Sequence, residues 1–472
     1  MLRRYRPDLL CVGLLIFITL ASCLPLLTKY PAPGGDEPGF VDVAVTLATR
    51  GVLAAPAYEG LLPGADEHIY WQPPLYFMGL AGWFTIAGVG LVQARVFSLL
   101  WAVPIVILVY AISRRHAAHG PSLTAAALLA VSFWLTNRAS AARMDALCIA
   151  LTLTSILVYQ CAHDRAKLTL LALSGLFAGL AFVTHPLGIV AIATLLVHLL
   201  AHEGSGVVRT PRPWAVLVCF CVPSVLWLAY ILQDPATFRL QMSAQLARKS
   251  GLGSYWYQFW MAKTHVITLV VVLAAAAWLI LESLRRRSTG LVATGFICSF
   301  AAATYGRETG YFSYFYPFAC CALANLLNDV SRRQLAVAAA VAMAFANELA
   351  ILTHDIYRYH HRDYRDLTRL VRDVIPPGKT VFVGPAEVTP YFALVGRNPM
   401  RIAIPVSTTD PQAHRHAAED CDFIAVTVPV TYLPEVGALV DTATPVAIVD
   451  QGPGYRMAIY ESSRLHGASR VR

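Results

Sequence analysis

The segment QARVFSLLWAVPIVILVYAI, residues 93–112, is followed at Arg114 and Arg115 by a pair of charges. An apolar helix of this length spans about 30 Å, the hydrocarbon thickness of a bilayer, and the two arginines end it at a watery face. The same pattern recurs along all 472 residues, of which 57% are hydrophobic and 14% charged. That predicts an α-helical polytopic membrane protein and excludes one oversized soluble core, because only helices or closed barrels satisfy backbone polar groups in hydrocarbon. About eleven spans can be traced. They cover residues 8–28, 93–112, 121–137, 143–161, 167–184, 187–202, 214–232, 262–283, 289–304, 311–328 and 334–353.

The net charge of +9 invites a nucleic-acid partner, but its distribution predicts membrane topology instead. Arg3, Arg4 and Arg6 precede the first span, and Arg114 and Arg115 follow the second. Arg165 with Lys167, Arg209 with Arg212, Arg285 to Arg287, and Arg332 with Arg333 lie in every second loop after that. With the N-terminus cytoplasmic, all of these fall on the cytoplasmic side, as the positive-inside rule requires, and nucleic acid is not expected as a partner. An odd number of spans then puts residues 355–472 outside, periplasmic if the cell is Gram-negative, with the chain in the inner (plasma) membrane. Leu20, Ala21, Ser22 and Cys23 resemble a lipoprotein cleavage box, but the apolar run continues through Leu24, Leu26 and Leu27 and fits an uncleaved span. Nine of the ten cysteines sit in or beside spans and only Cys421 lies in the terminal region, so no disulfide framework or Cys/His metal spacing is expected.

Two domains follow: residues 1–354 form the transmembrane body, with a large outer loop at 29–92, and residues 355–472 form a small C-terminal α/β domain. In the loop, Pro38 to Arg50 reads as a short helix closed by Gly51. The apolar stretch 73–91 is almost long enough to cross, but a crossing there would move every later basic cluster outside. It is therefore expected at the outer interface or as a re-entrant piece, a depth suited to Trp71, Tyr76, Phe77 and Trp83. In the terminal domain a polar helix at 361–374 precedes strands at 380–384, 401–404, 422–428, 445–449 and 455–460, alternating with helical stretches at 386–395, 411–419 and 431–441. It carries no glycine-rich phosphate loop or catalytic triad pattern, which suggests covering or recognition.

Candidate chemistry gathers at the outer ends of the spans. Gly34, Gly35, Asp36, Glu37 and Pro38 set two carboxylates on a turn at the membrane's mouth. Asp36 there suits a general base, or equally a helix cap; capping leaves Glu37 unexplained. Tyr70 to Tyr76, including Gln72, Pro73 and Pro74, form a stiff aromatic segment that also reads as an interfacial anchor. Arg138, Arg143 and Asp145 stand where the positive-inside rule discourages arginine, with an Arg143–Asp145 ion pair as the plain alternative. His185, between Thr184 and Pro186, is a candidate against the commoner structural histidine, and Arg307 with Glu308 could be a surface pair.

These residues resemble the membrane glycosyltransferases of the GT-C type, in particular the group of protein O-mannosyltransferases and lipid A aminoarabinose transferases. The resemblance rests on Asp36 and Glu37, on Gln72, Pro73, Pro74 and Leu75, and on Ala94, Arg95, Val96 and Ser98. It continues through Arg143, Met144 and Asp145, then Gly175, Gly179, Leu180, Thr184, His185 and Pro186, and extends to Tyr311–Pro317. It implies an inverting hexosyl- or pentosyltransferase that moves a sugar from a polyprenyl-phosphate donor to a hydroxyl of a lipid, glycan or protein acceptor on the outer face. Asp36 and Glu37 would be catalytic, with Asp36 the base, and Gln72, Arg95, Arg143, Asp145 and His185 would bind the donor. The chain departs from the pattern where many relatives carry lysine, having Gln72 and His185 instead, so Arg143, Arg95 and His185 are the candidates to clamp the phosphate. Some relatives use a divalent metal and others none; no complete metal ligand set stands out here. A transporter or flippase of the polyprenyl-linked sugar, and a ligase for whole glycans, are the alternatives. The nearly charge-free middles of the spans and the absence of a repeat argue against transport.

Overall fold

The computed structural model describes all residues except 1, 35, 166, 249–261, 286–289, 307–308, 330–333, 361, 385–387, 404–411, 431–432, 451–455, 464 and 466–472. Gly35, the Arg307 and Glu308 pair, and the basic residues Arg286, Arg287, Arg332 and Arg333 therefore lie outside the described residues.

A helix occupies each of the eleven apolar runs, from α1 (Leu2–Cys23) to the long helix Gln334–Tyr359. Among the described residues seven candidate spans are long and apolar enough to cross a membrane, and the chain is an integral membrane protein. Of the other four expected spans, three are shorter helices, His119–Val131, Leu168–Phe182 and Leu291–Thr304, and the fourth is the helix Phe312–Asp329, which is not among the seven. The first of them continues after a break at Ser132 as Phe133–Ala139. Helix Leu168–Phe182 packs on helix Pro211–Ile231 backbone to backbone: a Cβ on Gly175 would stand 2.1 Å from the carbonyl oxygen of Val216, and one on Gly179 2.5 Å from that of Phe220. Small residues four apart allow this approach, which compensates for the missing hydrophobic drive between helices in lipid. Glu348, buried with His265 at 3.2 Å and accepting from the Phe133 amide at 2.9 Å, is an acid inside the bundle that the reading of charge-free spans passed over.

In the outer loop, α2 (Asp36–Arg50) ends at Gly51 with φ of 73°. The stretch expected at the interface is α3 (Leu75–Ala87), stopped by Gly88 at φ of 79°. At about 20 Å it is too short to cross, and Met78 and Ile86 remain exposed on it. Helix α4 (Leu91–Ser113) follows directly.

The helix Gln334–Tyr359 runs past the expected boundary at 354, and the terminal domain begins with the helix Tyr364–Val374. Five strands, β1 (Val381–Val383), β2 (Met400–Ile402), β3 (Phe423–Thr427), β4 (Ala447–Asp450) and β5 (Arg456–Glu461), form one sheet in the order β2-β1-β3-β5-β4. The β2-β1-β3 part is parallel and β5 is antiparallel to both neighbours. One hydrophobic core joins α2 and α3 to this domain, through Phe40, Val41, Phe77, Tyr364, Leu367, Val381 and Tyr391. The outer loop and the terminal domain thus bury each other, and the Tyr364 amide donates to the Thr28 carbonyl, 3.2 Å away, at the end of the first span. All ten cysteines are unpaired.

Candidate active site

The site is assembled where α2, α4 and the loop before the helix Asp145–Arg165 meet. Asp36 and Glu37 open α2, where exposed helix amides favour negative charge. Their side chains then part. Glu37 is 3% exposed and accepts from Arg95 Nε at 3.0 Å, Arg95 Nη2 at 2.9 Å, the Ala142 amide at 2.7 Å and the Gly34 amide at 3.1 Å. Arg95 is fully buried and also donates to the carbonyls of Leu27, at 3.0 Å, and Pro31, at 2.8 Å. The expected donor-binding role of Arg95 therefore does not fit its position: the guanidinium faces protein on all sides and supports the loop 27–37.

Asp36 is about one-third exposed, and its Oδ2 meets Arg143 Nη1 at 2.5 Å. Arg143 uses its Nε for Asp145 Oδ2, 2.8 Å away, so one guanidinium bridges both acids. Ser98 fixes the Arg143 backbone, accepting from its amide at 3.2 Å and donating to its carbonyl at 3.3 Å. The Arg143 side chain also lies 5.9 Å from the Phe40 ring centre. Asp145 is fully buried, and its Oδ1 has no hydrogen-bond partner among the described residues. A buried carboxylate oxygen without a donor is costly, and a polar group of a ligand would relieve it.

His185 follows the helix Leu168–Phe182 and lies within electrostatic reach of Asp145, as does Arg138. Its Nδ1 accepts from the Leu187 amide at 3.0 Å, which leaves the proton of the neutral ring on Nε2. Tyr311 and Tyr314 stand against the ring, with centroids 5.7 and 5.6 Å away. The Gln72 segment joins this corner through the Leu75 amide, which donates to the Val183 carbonyl at 3.0 Å. Gln72 itself is buried. Arg138 packs directly on Gly310, where a Cβ would collide with its guanidinium.

Three residues escaped the reading of the sequence as site components. Tyr76, expected only as an anchor, is fully buried within electrostatic reach of Glu37, Arg143 and Asp145, and burial raises its hydroxyl pKa above the ordinary value. Asp42 accepts from the Ala57 amide and from the Tyr391 hydroxyl, each at 3.0 Å, and so ties α2 to the terminal domain. Burial pushes its carboxyl up to about 6. A charge inside the greasy run Phe40 to Val45 was the available signal. Tyr391 gave none, because its partner lies 349 residues away.

No cluster of three or more His, Cys, Asp or Glu side chains suited to a metal occurs among the described residues. Asp36 and Asp145 both face the Arg143 cation, a setting that does not fit a divalent ion.

The comparisons agree with this architecture. Residues 71–229 match the family described as dolichyl-phosphate-mannose-protein mannosyltransferase. ArnT from Cupriavidus metallidurans in the apo state superimposes with a TM-score of 0.68 at 14% identity, over 96% of this chain and 97% of that one. The chain has the GT-C fold. The same ArnT bound to undecaprenyl phosphate aligns with a TM-score of 0.65 at 14% identity, over 97% of this chain and 98% of the other. The GT-C likeness extends to the oligosaccharyltransferase of Archaeoglobus fulgidus tethered with an acceptor peptide, with a TM-score of 0.57 at 11% identity over 96% of this chain and 74% of that one. No curated protein matches the sequence.

Proposed function

We propose that the chain is an inverting glycosyltransferase that moves a sugar from a polyprenyl-phosphate donor to a hydroxyl of an envelope lipid, glycan or protein. The observation that carries this is the partly exposed Asp36, held by an arginine that a fully buried Asp145 orients from behind. The GT-C fold and the undecaprenyl phosphate in the ArnT structure support a lipid-linked donor.

In this reading Asp36 takes the proton of the acceptor hydroxyl as that oxygen attacks the anomeric carbon. The bond from that carbon to the phosphate oxygen breaks, and the electron pair leaves with the polyprenyl phosphate. Charge builds on the phosphate in the transition state, where a nearby fixed cation has most effect. Arg143 is the first candidate for that cation and His185 with its Nε2 proton the second. Arg95 and Glu37 act by holding the loop that presents Asp36.

The active end faces away from the cytoplasm in this reading. Its opposite end carries Asp8, Arg114 and His119 in one cluster, with Arg115 beside it and Arg212 paired to Glu203. That is the distribution the positive-inside rule associates with the cytoplasm.

The test is purified chain in detergent or bilayer with synthetic polyprenyl-phosphate sugars, hexose and pentose, and a panel of acceptors. Release of polyprenyl phosphate coupled to a glycosylated acceptor, lost in Asp36→Asn, is the expected result. Movement of intact donor across liposomes without bond cleavage would replace this reading with transport, and transfer of preassembled glycans alone would replace it with a ligase.

A further inference from the structure

A polar cleft of about 630 Å³ lies outside the Asp36 site, between the start of α4, the helix Tyr364–Val374 and the turn at Arg397. Four arginines line it, Arg365, Arg369, Arg372 and Arg397, against a single acid, Asp373. Arg365 is paired firmly with Asp363, 2.6 Å away, but the other three are held less tightly. Arg369 meets Asp366 only at 3.4 Å, with both side chains about three-quarters exposed. Arg372 donates its Nε to the Ala393 carbonyl at 2.7 Å, which orients the guanidinium without neutralising it. The half-buried Arg397 follows Gly396, whose φ of 76° turns the chain back toward the cleft, and it has no acidic partner among the described residues.

A solvated helix face would explain Arg365 and Arg369, but not the arrival of Arg397 from a different element. The position of the cleft is the second observation. Its lining includes Thr28, two residues beyond the first span, and Val89 to Gln93, where α4 enters the bilayer. Trp83 donates to the Gln93 carbonyl at 2.8 Å and pins that turn, a common use of tryptophan at the interface. Beside it, Ile86 is 84% and Val89 43% exposed, apolar side chains that only lipid would cover favourably. Basic pockets beside span ends at a membrane surface suit lipid phosphates.

We infer that this cleft binds the phosphate of an anionic membrane lipid headgroup, seating the terminal domain on the bilayer. Phosphate oxygens accept from the guanidinium groups of Arg369, Arg372 and Arg397, and the acyl chains run down past Val89 and Ile86. The site is separate from the residues assigned to sugar transfer and does not depend on that assignment.

The full chain in nanodiscs of phosphatidylcholine with a minor fraction of phosphatidylglycerol provides the test, with co-purifying lipid measured by native mass spectrometry. Arg369→Gln with Arg397→Gln should lower retained phosphatidylglycerol by about twenty-five-fold, roughly fivefold per arginine. Arg369→Lys with Arg397→Lys should restore most of it, which a loss of folding would not allow. Equal retention in the Gln variant overturns the inference. Full displacement of the lipid by millimolar inorganic phosphate also overturns it, by making the cleft a site for a soluble anion.

Discussion

Asp36 and Glu37 follow one another at the head of α2, and the regions they enter differ in what they leave open. Around Glu37 every exchangeable position is taken: two bonds from Arg95 and two from backbone amides, with both side chains nearly closed to solvent. Around Asp36 the carboxylate is accessible, its arginine is shared with Asp145, and a buried oxygen of Asp145 has no donor. A saturated buried pair holds shape, since removing one partner strands a charge in low dielectric. An incompletely saturated one can exchange a protein partner for a ligand. Under the proposed function the contrast leaves the chemistry to Asp36 and gives Glu37, expected from the sequence to be catalytic, a part in holding the loop.

The sharpest test of that contrast is kinetic. Asp36→Asn should lower transfer by about 10² to 10⁴, the usual range for a positioned general base, while thermal unfolding in detergent stays unchanged within about 1 kcal/mol. Glu37→Ala should do the reverse in kind, costing about 3–5 kcal/mol of stability by leaving Arg95 buried and unpaired, read by denaturant or thermal melts. A Glu37→Ala protein as stable as the parent would erase the distinction. Gly175→Ala should cost about 1–3 kcal/mol, because its new methyl meets the backbone of Val216 and not a side chain that can turn away.

Asp42, a third acid on α2, makes stability depend on pH. Its carboxyl is raised from 3.8 to about 6 in the folded chain, so the folded form keeps a proton that the unfolded form gives up. Stability should therefore fall as pH rises from about 4 to about 6 and level off above that. Hydrogen exchange in residues 389–394 across this window is the measurement, and Asp42→Asn should flatten the dependence. The smallest effect is expected at the other end of the bundle. Asp8 pairs with Arg114 at 3.3 Å with both side chains partly exposed, and Asp8→Asn should cost under about 1 kcal/mol and leave transfer untouched.

Much of the fold was legible in the chain. Each apolar run became helical near its expected limits, the run 121–137 as two helices broken at Ser132, and α2 stopped at the predicted Gly51. The five strand-like runs of the terminal region became the five strands. Helix Leu168–Phe182 is shorter than its apolar run because Val183 and Thr184 turn toward His185 and Pro186, a bend that hydropathy does not register. Of the candidate cations, Arg143 stands beside Asp36, whereas Arg95 looked equivalent in sequence and is enclosed by the loop it supports.

By itself the amino-acid order determined a membrane-embedded helical body, the spacing of its helices and the small α/β unit at its end. Those properties are local: hydrophobic length, turn residues and alternation act over a few to about twenty neighbouring positions. Which acid faces the opening and which arginine serves it were decided only in three dimensions. The deciding bonds join residues 58 apart for Glu37 and Arg95, and 107 apart for Asp36 and Arg143, and burial there follows from how whole helices pack.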